Sequence, residues 1–233
     1  MNPIISEIYR ALKILSGRME GFYLAGGTAL SLFYFQHTDS YDIDFFTKDF
    51  SRKRIEDIVK GLSDGMGKKI SLIGEENGPD RAKMLVYSYD VGGDELKIDF
   101  VEDVHGLIRQ PKTVDGIPVL EKEDIYLRKI FAACGSYAAP DEAGKTRFKG
   151  GRQEAKDFFD LYFLSTTFMP LSKFALERCD PAQIESIVVW YRTYGRMAIK
   201  EGLLDLSTDK RIDFQKMEHH SRGEIEDMIE KGL

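Results

Sequence analysis

Cysteine is scarce in this chain of 233 residues. Cys134 and Cys179 are the only two, and they stand in no C-x-x-C spacing. Neither a disulfide framework nor a zinc site is indicated, and both thiols are expected to be reduced and in the core. The four histidines form no H-E-x-x-H or H-x-E pattern, which removes the usual zinc-hydrolase signatures. His37 and His105 therefore read as structural, and the His219-His220 pair in its charged segment as surface. No apolar run is long enough to cross a bilayer, and the opening Met-Asn-Pro-Ile-Ile-Ser-Glu lacks a basic stretch followed by an apolar one. A soluble cytoplasmic protein without membrane association is expected. Positive charge is in deficit: 33 Lys and Arg face 39 Asp and Glu, a net charge of −6. Contact with nucleic acid would need a local basic patch. Internal repeats and low-complexity tracts are absent.

What the chain does have is a mixed pattern with a change of character part-way along. Hydrophobic residues at 42% and charged residues at 31% are ordinary for a folded soluble protein. Ile4, Ile5, Ile8, Leu12 and Leu15 recur at helical spacing, predicting a first helix that ends near Gly17. Residues 21–25 read as a short strand, Gly26-Gly27 as a turn, and Thr28 to Phe35 as a helix. Tyr41 to Thr47 alternates as a strand, followed by a helix through Ile55, Ile58, Val59 and Leu62. Further strands are predicted at Lys69–Ile73, Lys83–Val91 and Leu96–Val101, the last two joined by a turn at Gly92-Gly93-Asp94. From Glu121 onward helices dominate, at 124–137, 152–166, 171–178, 181–200 and from about Arg222. The expected division is an α/β core over residues 1–120 and a helical domain over 121–233 that completes an active-site cleft. Residues 138–151, with Pro140, Gly144, Gly150 and Gly151, read as a mobile loop.

The chemistry-bearing residues concentrate in the first part. Asp42 and Asp44 are two apart on a predicted strand, so both carboxylates leave one face while Ile43 and Phe45 leave the other. Two such acids repel each other, and a divalent cation such as Mg²⁺ relieves the repulsion while binding phosphate oxygens. The pair follows a strand, a double glycine and a helix start. There Gly26 and Gly27 allow close backbone approach, and Thr28 offers a hydroxyl and N–H groups to a phosphate. Asp99, in Lys97-Ile98-Asp99-Phe100-Val101, supplies a third acid on another strand, as metal ligand or general base. A D-x-D pair by itself is more often an exposed strand end than a site; the glycine turn and the third acid distinguish this one. Trp190, Tyr191 and Tyr194 fall at helical spacing with Ile184, Ile187 and Val188 and read as a core stripe. The cluster Arg128, Lys129, Lys145, Arg147, Lys149, Arg152 and Lys156, against only Asp141, Glu142 and Glu154, is locally positive. It reads equally as a solvated loop and as a binder of triphosphate or RNA backbone.

The order Gly26-Gly27-Thr28, Asp42-Ile43-Asp44 and a later Asp99 resembles the DNA polymerase β-like nucleotidyltransferase superfamily. Within it, the run Phe22 to Leu32 and the segment His37 to Phe46 resemble the AbiEii/AbiGii toxin nucleotidyltransferases. So do Asp124-Ile125-Tyr126-Leu127-Arg128-Lys129 and the segment Arg152 to Leu161, so that the likeness spans roughly residues 20–165. The departure is Thr38, where relatives often carry arginine. The resemblance implies a mixed-sheet polymerase β-like core followed by a helical region. It implies metal binding by Asp42 and Asp44, with Mg²⁺ or Mn²⁺ as cofactor, and Lys129 on the nucleotide phosphates. An acid from Asp157 or Asp160 completes the site, with Asp157 the better match to the motif. It implies transfer of an NMP from an NTP to an acceptor such as the 3′ end of a tRNA, and a cognate antitoxin as partner. A small molecule or a protein as acceptor fits the same residues, as does a nucleotide-binding module without turnover.

Overall fold

The computed structural model describes residues 3–78, 81–135, 137–140, 142, 144 and 146–232. The chain divides into two compact units, Met1–Asp124 and Ile125–Leu233. In chain order the first unit runs α1 (Pro3–Leu15), β1 (Phe22–Leu24), α2 (Gly26–Leu30), a π-helical turn over Ser31–Phe35, β2 (Asp42–Thr47) and α3 (Arg52–Met66). It continues with β3 (Ser71–Glu76), β4 (Met84–Val91), β5 (Asp94–Glu102), β6 (Lys112–Val114), β7 (Ile117–Val119) and the first residues of α4 (Lys122–Cys134). The seven strands form one mixed sheet in the order β3-β4-β5-β2-β1-β7-β6. The pairs β2/β5 and β1/β7 are parallel, the others antiparallel.

Local chemistry explains these elements. The apolar stripe of α1 is buried at Ile4, Ile8, Ala11, Leu12 and Leu15, and α1 packs on α3 and β4. The Ser51 side chain caps α3 by accepting from the Arg54 N–H, and Gly67, at φ +63°, ends it in the left-handed conformation that glycine tolerates. Along β2 and β5, Ile43, Phe45, Leu96, Ile98 and Phe100 are buried. Phe100 is the hub: Phe45 stacks on it at 5.7 Å, while Phe22 and Tyr87 meet it edge-on at 5.8 and 6.1 Å. Because side chains alternate, this aromatic core obliges Asp42, Asp44 and Asp99 to emerge on the opposite face. The β6–β7 hairpin was not foreseen, although Asp115-Gly116, both at positive φ, is a strong two-residue hairpin signal.

The second unit comprises the remainder of α4, the hairpin β8 (Tyr137–Pro140) and β9 (Thr146–Lys149), α5 (Ala155–Thr167), α6 (Leu171–Arg178), α7 (Pro181–Thr193), α8 (Arg196–Leu204) and α9 (Phe214–Gly232). The hairpin replaces much of the loop expected over 138–151. The helix predicted over 181–200 is two, because the Gln153 side chain inserts between them. Its Nε2 donates to the Thr193 carbonyl at 3.4 Å, and its Oε1 accepts from the Gly195 N–H at 3.0 Å. The last helix starts eight residues before the predicted Arg222, where Asp213 accepts from the Lys216 N–H at 3.1 Å. The aromatic stripe is core as expected: Trp190, Tyr191 and Tyr194 are buried, with Phe158 against Trp190 and Tyr194 at 6.2 and 5.4 Å. Tyr126 stacks on Phe174 at 4.3 Å. No helix among the described residues is long and apolar enough to cross a membrane.

Candidate active site

The parallel pairing of β2 with β5 sets Asp44 directly beside Asp99 and Asp42 beside Lys97. Neighbouring strands lie ~4.8 Å apart, so the three expected acids share one patch of one sheet face. Asp99 Oδ1 is buried and has no hydrogen-bond partner among the described residues. Burial, then the charges of Asp44 and Asp42, push the Asp99 carboxyl up to about 7, against a weaker opposite pull from Lys97. Burial and the crowding of the three acids thus raise the proton affinity of Asp99 well above that of an ordinary carboxylate.

The glycine turn is fitted to these acids. Gly26 has φ +66°, and a Cβ there would fall 2.1 Å from Asp44 Oδ2, so only glycine lets the backbone lie against that carboxylate. The two glycines form the first turn of α2 itself rather than a turn ahead of it. The residue before them, Ala25, provides no side-chain cap. The N–H groups of Gly26, Gly27 and Thr28 thus have no acceptor within the helix, an arrangement that favours an anion. The Thr28 side chain departs from expectation. It is fully buried, and its hydroxyl donates to the main-chain carbonyl of Asp42 rather than projecting toward a phosphate.

In the second unit, Lys129 on α4 bonds both candidate acids of α5, at 2.9 Å to Asp157 Oδ1 and 2.6 Å to Asp160 Oδ2. Arg152 adds a second cation to Asp157, Nε to Oδ2 at 2.6 Å and Nη2 to Oδ1 at 3.3 Å. Side-chain exposure is 7% for Lys129, 1% for Asp157 and 0% for Asp160, against 52% for Arg152. Burial opposes the lysine charge, but Asp160 and Asp157 outweigh it and hold the group above the usual lysine range. For Asp157 burial likewise acts upward, and Lys129 with Arg152 brings it below the usual carboxylate range. Lys129 is thus engaged by the two carboxylates that the sequence offers as the completing acid. Its loss would strand two buried carboxylates, so it is the counter-ion that holds α4 and α5 together.

The first-unit acids are of the donor type that suits a hard divalent cation: they are carboxylate oxygens, and one is buried and unpartnered among the described residues. Among the described residues no three His, Cys, Asp or Glu side chains converge at metal-binding spacing.

The sequence matches the family described as nucleotidyl transferase AbiEii toxin, type IV toxin–antitoxin system, over residues 10–231. The chain belongs to the AbiEii family. Its fold is that of two solved structures from Helicobacter pylori. JHP933 superposes with a TM-score of 0.60 at 14% identity, covering 99% of this chain and 95% of that one. A candidate nucleotidyltransferase superposes with a TM-score of 0.59 at 15% identity, covering 97% and 95%. Among curated proteins none matches the sequence.

Several features of this AbiEii-family chain escaped sequence reasoning. The partnership of Arg152 with Asp157 was one. It is prepared by a close backbone crossing in which a Cβ on Gly135 would meet the Lys149 carbonyl oxygen at 2.5 Å and one on Gly151 the Ala133 carbonyl oxygen at 2.5 Å. Beside it the Arg152 N–H donates to Ala132 at 2.9 Å. The paired glycines around 150 and the Asp157/Asp160 spacing were the available signals. Within the basic cluster, Lys129 and Arg152 are in ion pairs as above and Arg147 is paired with Glu185. Lys145 and Asp141 lie outside the described residues. His37 is buried edge-on against Phe35, as expected of a structural histidine. Of the His219-His220 pair, His219 is exposed as expected and His220 is partly exposed, its Nε2 2.8 Å from Ser165 Oγ, linking α9 to α5. The two cysteines are free and partly exposed rather than fully in the core.

Proposed function

We propose that this chain is a metal-dependent nucleotidyltransferase that moves an NMP from an NTP to an acceptor and releases pyrophosphate. The observation that carries the reading is the in-register Asp44/Asp99 pair, with its buried unpartnered oxygen, beside an uncapped glycine helix start. Asp42, Asp44 and Asp99 would hold Mg²⁺ or Mn²⁺, which when bound supplies charge neutralisation at the transferring phosphoryl group. The N–H groups of Gly26, Gly27 and Thr28 orient the triphosphate. If Asp42 and Asp44 alone hold the metal, Asp99 is instead the group that accepts the proton of the attacking acceptor hydroxyl. Lys129, held by Asp157 and Asp160, is proposed to steady the nucleotide phosphates, and Asp157 or Asp160 to complete the site. Positioning and electrostatics supply most of the rate in reactions of this kind.

The acceptor we propose is the 3′ end of a tRNA, with arrest of growth as the consequence in the cytoplasm; the family's description as a toxin of a toxin–antitoxin system supports growth arrest and a cognate antitoxin as partner. The test is incubation of the protein with Mg²⁺, each of the four α-labelled NTPs and total tRNA, following label on RNA, protein and free nucleotide. Label on RNA is expected, and Asp42→Ala with Asp44→Ala should lower it by on the order of a thousandfold or more. Label on protein or on an added small molecule would redirect the acceptor. NTP binding with no label anywhere would leave a nucleotide-binding module and overturn the enzyme reading.

A further inference from the structure

We infer that Thr28 is a positioning residue for the metal-binding end of β2, acting through its side chain on the main chain of Asp42, and that its hydroxyl is not a phosphate contact. The inference rests on the metal-dependent reading above. It begins with how two strands end at different places.

β1 pairs antiparallel with β2 in the register Phe22↔Thr47, Tyr23↔Phe46 and Leu24↔Phe45. One more ladder bond follows, from the Ala25 N–H to the Asp44 carbonyl at 2.9 Å. There β1 gives out, because Gly26 at φ +66° turns the chain into α2. β2 runs on for two more residues toward its start. In a strand, carbonyls two residues apart face the same edge. The Asp42 carbonyl therefore points where the next β1 residue would have stood. An edge carbonyl in that position would lose its partner at the residue that carries a proposed metal ligand.

The Thr28 hydroxyl takes the place of the missing strand. It donates to the Asp42 carbonyl oxygen, and the residue is fully buried. Thus both members of the D-x-D pair are tied to one stretch of chain, Asp44 by the Ala25 amide and Asp42 by the Thr28 side chain. The same stretch supplies the N–H groups proposed to bind the triphosphate. The phosphate cradle and the metal carboxylates are stapled together at two points, so their separation is fixed before any ligand arrives. A buried hydroxyl with its one proton committed to a carbonyl has none to give to a phosphate oxygen. A valine at this site fills nearly the same space and cannot donate, while a serine keeps the donor.

The experiment compares Thr28→Val, Thr28→Ser and the parent chain, with Asp42→Ala as control, in two assays. The first is Mn²⁺ titration of the full chain, read by calorimetry and by the spin-resonance signal of free Mn²⁺. The second is steady-state transfer with metal and NTP varied independently. Thr28→Val should bind Mn²⁺ about tenfold more weakly, the size of effect one lost hydrogen bond to a ligand-bearing strand end gives. It should need correspondingly more metal for half-maximal rate, with KM for NTP at saturating metal unchanged. Thr28→Ser should restore parental metal affinity. If Thr28→Val fails to fold by circular dichroism, Thr28→Ala takes its place. Unchanged Mn²⁺ affinity in a folded variant lacking the donor would overturn the inference. So would a raised KM for NTP with unchanged metal affinity, which would return the hydroxyl to the phosphate. Metal binding without turnover in the parent would sink the transferase reading but leave this one to be decided by the titration. No Mn²⁺ binding by the parent would end both.

Discussion

The two units each hold a pair of neighbouring aspartates, and they treat them in opposite ways. Asp157 and Asp160 are buried against a buried lysine, with an arginine behind it, so two negative charges meet two positive ones inside the protein. Asp44 and Asp99 are set side by side by the parallel register of β2 and β5. Burial and like charge raise Asp99 to about 7, with exposed Lys97 only a weak opposing influence. Asp157 and Asp160 carry their cations within hydrogen-bonding distance, whereas Asp99 is raised by burial and by the like charges beside it, which is why the metal-dependent reading proposed above centres on it. The distinction rests on the count of neighbouring charges and not on burial alone.

The largest effect that would sharpen this comparison comes from Lys129→Met. It leaves Asp157 and Asp160 buried without their shared lysine and should cost about 3–5 kcal/mol of unfolding free energy in a urea titration. Retention of parental stability would erase the contrast. Next, Gly26→Ala places a methyl against the Asp44 carboxylate in a backbone conformation that alanine resists. A loss of about 1–2 kcal/mol is expected, together with loss of metal binding. A folded variant with normal metal affinity would show that this close approach is dispensable.

The pH dependences of the two regions should run in opposite directions. Asp99 has a folded value above its ordinary 3.8. Its contribution to stability is full below that ordinary value and is lost as pH rises through about 7. Asp157 has a folded value below its ordinary one, so its contribution is present above the ordinary value and is lost as pH falls through the depressed one. In metal-free buffer the parent should lose on the order of 1 kcal/mol between pH 5 and 8 through Asp99, after allowance for solvent screening. Asp99→Asn should remove that loss, and added Mg²⁺ should reverse it. A slope unaffected by both would show that the Asp99 carboxyl is not crowded. The smallest effect should come from Lys97→Gln, an exposed lysine beside the crowded acids, at under about 0.5 kcal/mol. An effect as large as that of Lys129→Met would mean that the first-unit acids do own a counter-ion.

The periodicities of α1, β2, α3 and β5 were plain in the sequence, and so was the order strand, double glycine, helix, D-x-D strand. Each is a local pattern in which hydrophobic spacing and turn chemistry agree. The three acids could be placed on one sheet face because alternation is a local rule and the apolar residues between them had to face the core. The β6–β7 hairpin was legible in Asp115-Gly116 but was passed over between very short strands. The break between α7 and α8 was not legible, since it depends on a glutamine some forty residues earlier in the chain.

Local pattern therefore determined the α/β elements and the strand, glycine, helix, D-x-D order, because glycines at a helix start and aspartates two apart on a strand carry their geometry with them; the family came from the likeness of those motifs to known ones. Tertiary structure alone decided what each polar group touches. Lys129 lies buried against Asp157 and Asp160, and the Thr28 hydroxyl donates to the main-chain carbonyl of Asp42, contacts that no local pattern announces. Partner choice is set by which strands and helices end beside one another, and that depends on contacts between residues far apart in the chain, beyond the reach of local pattern.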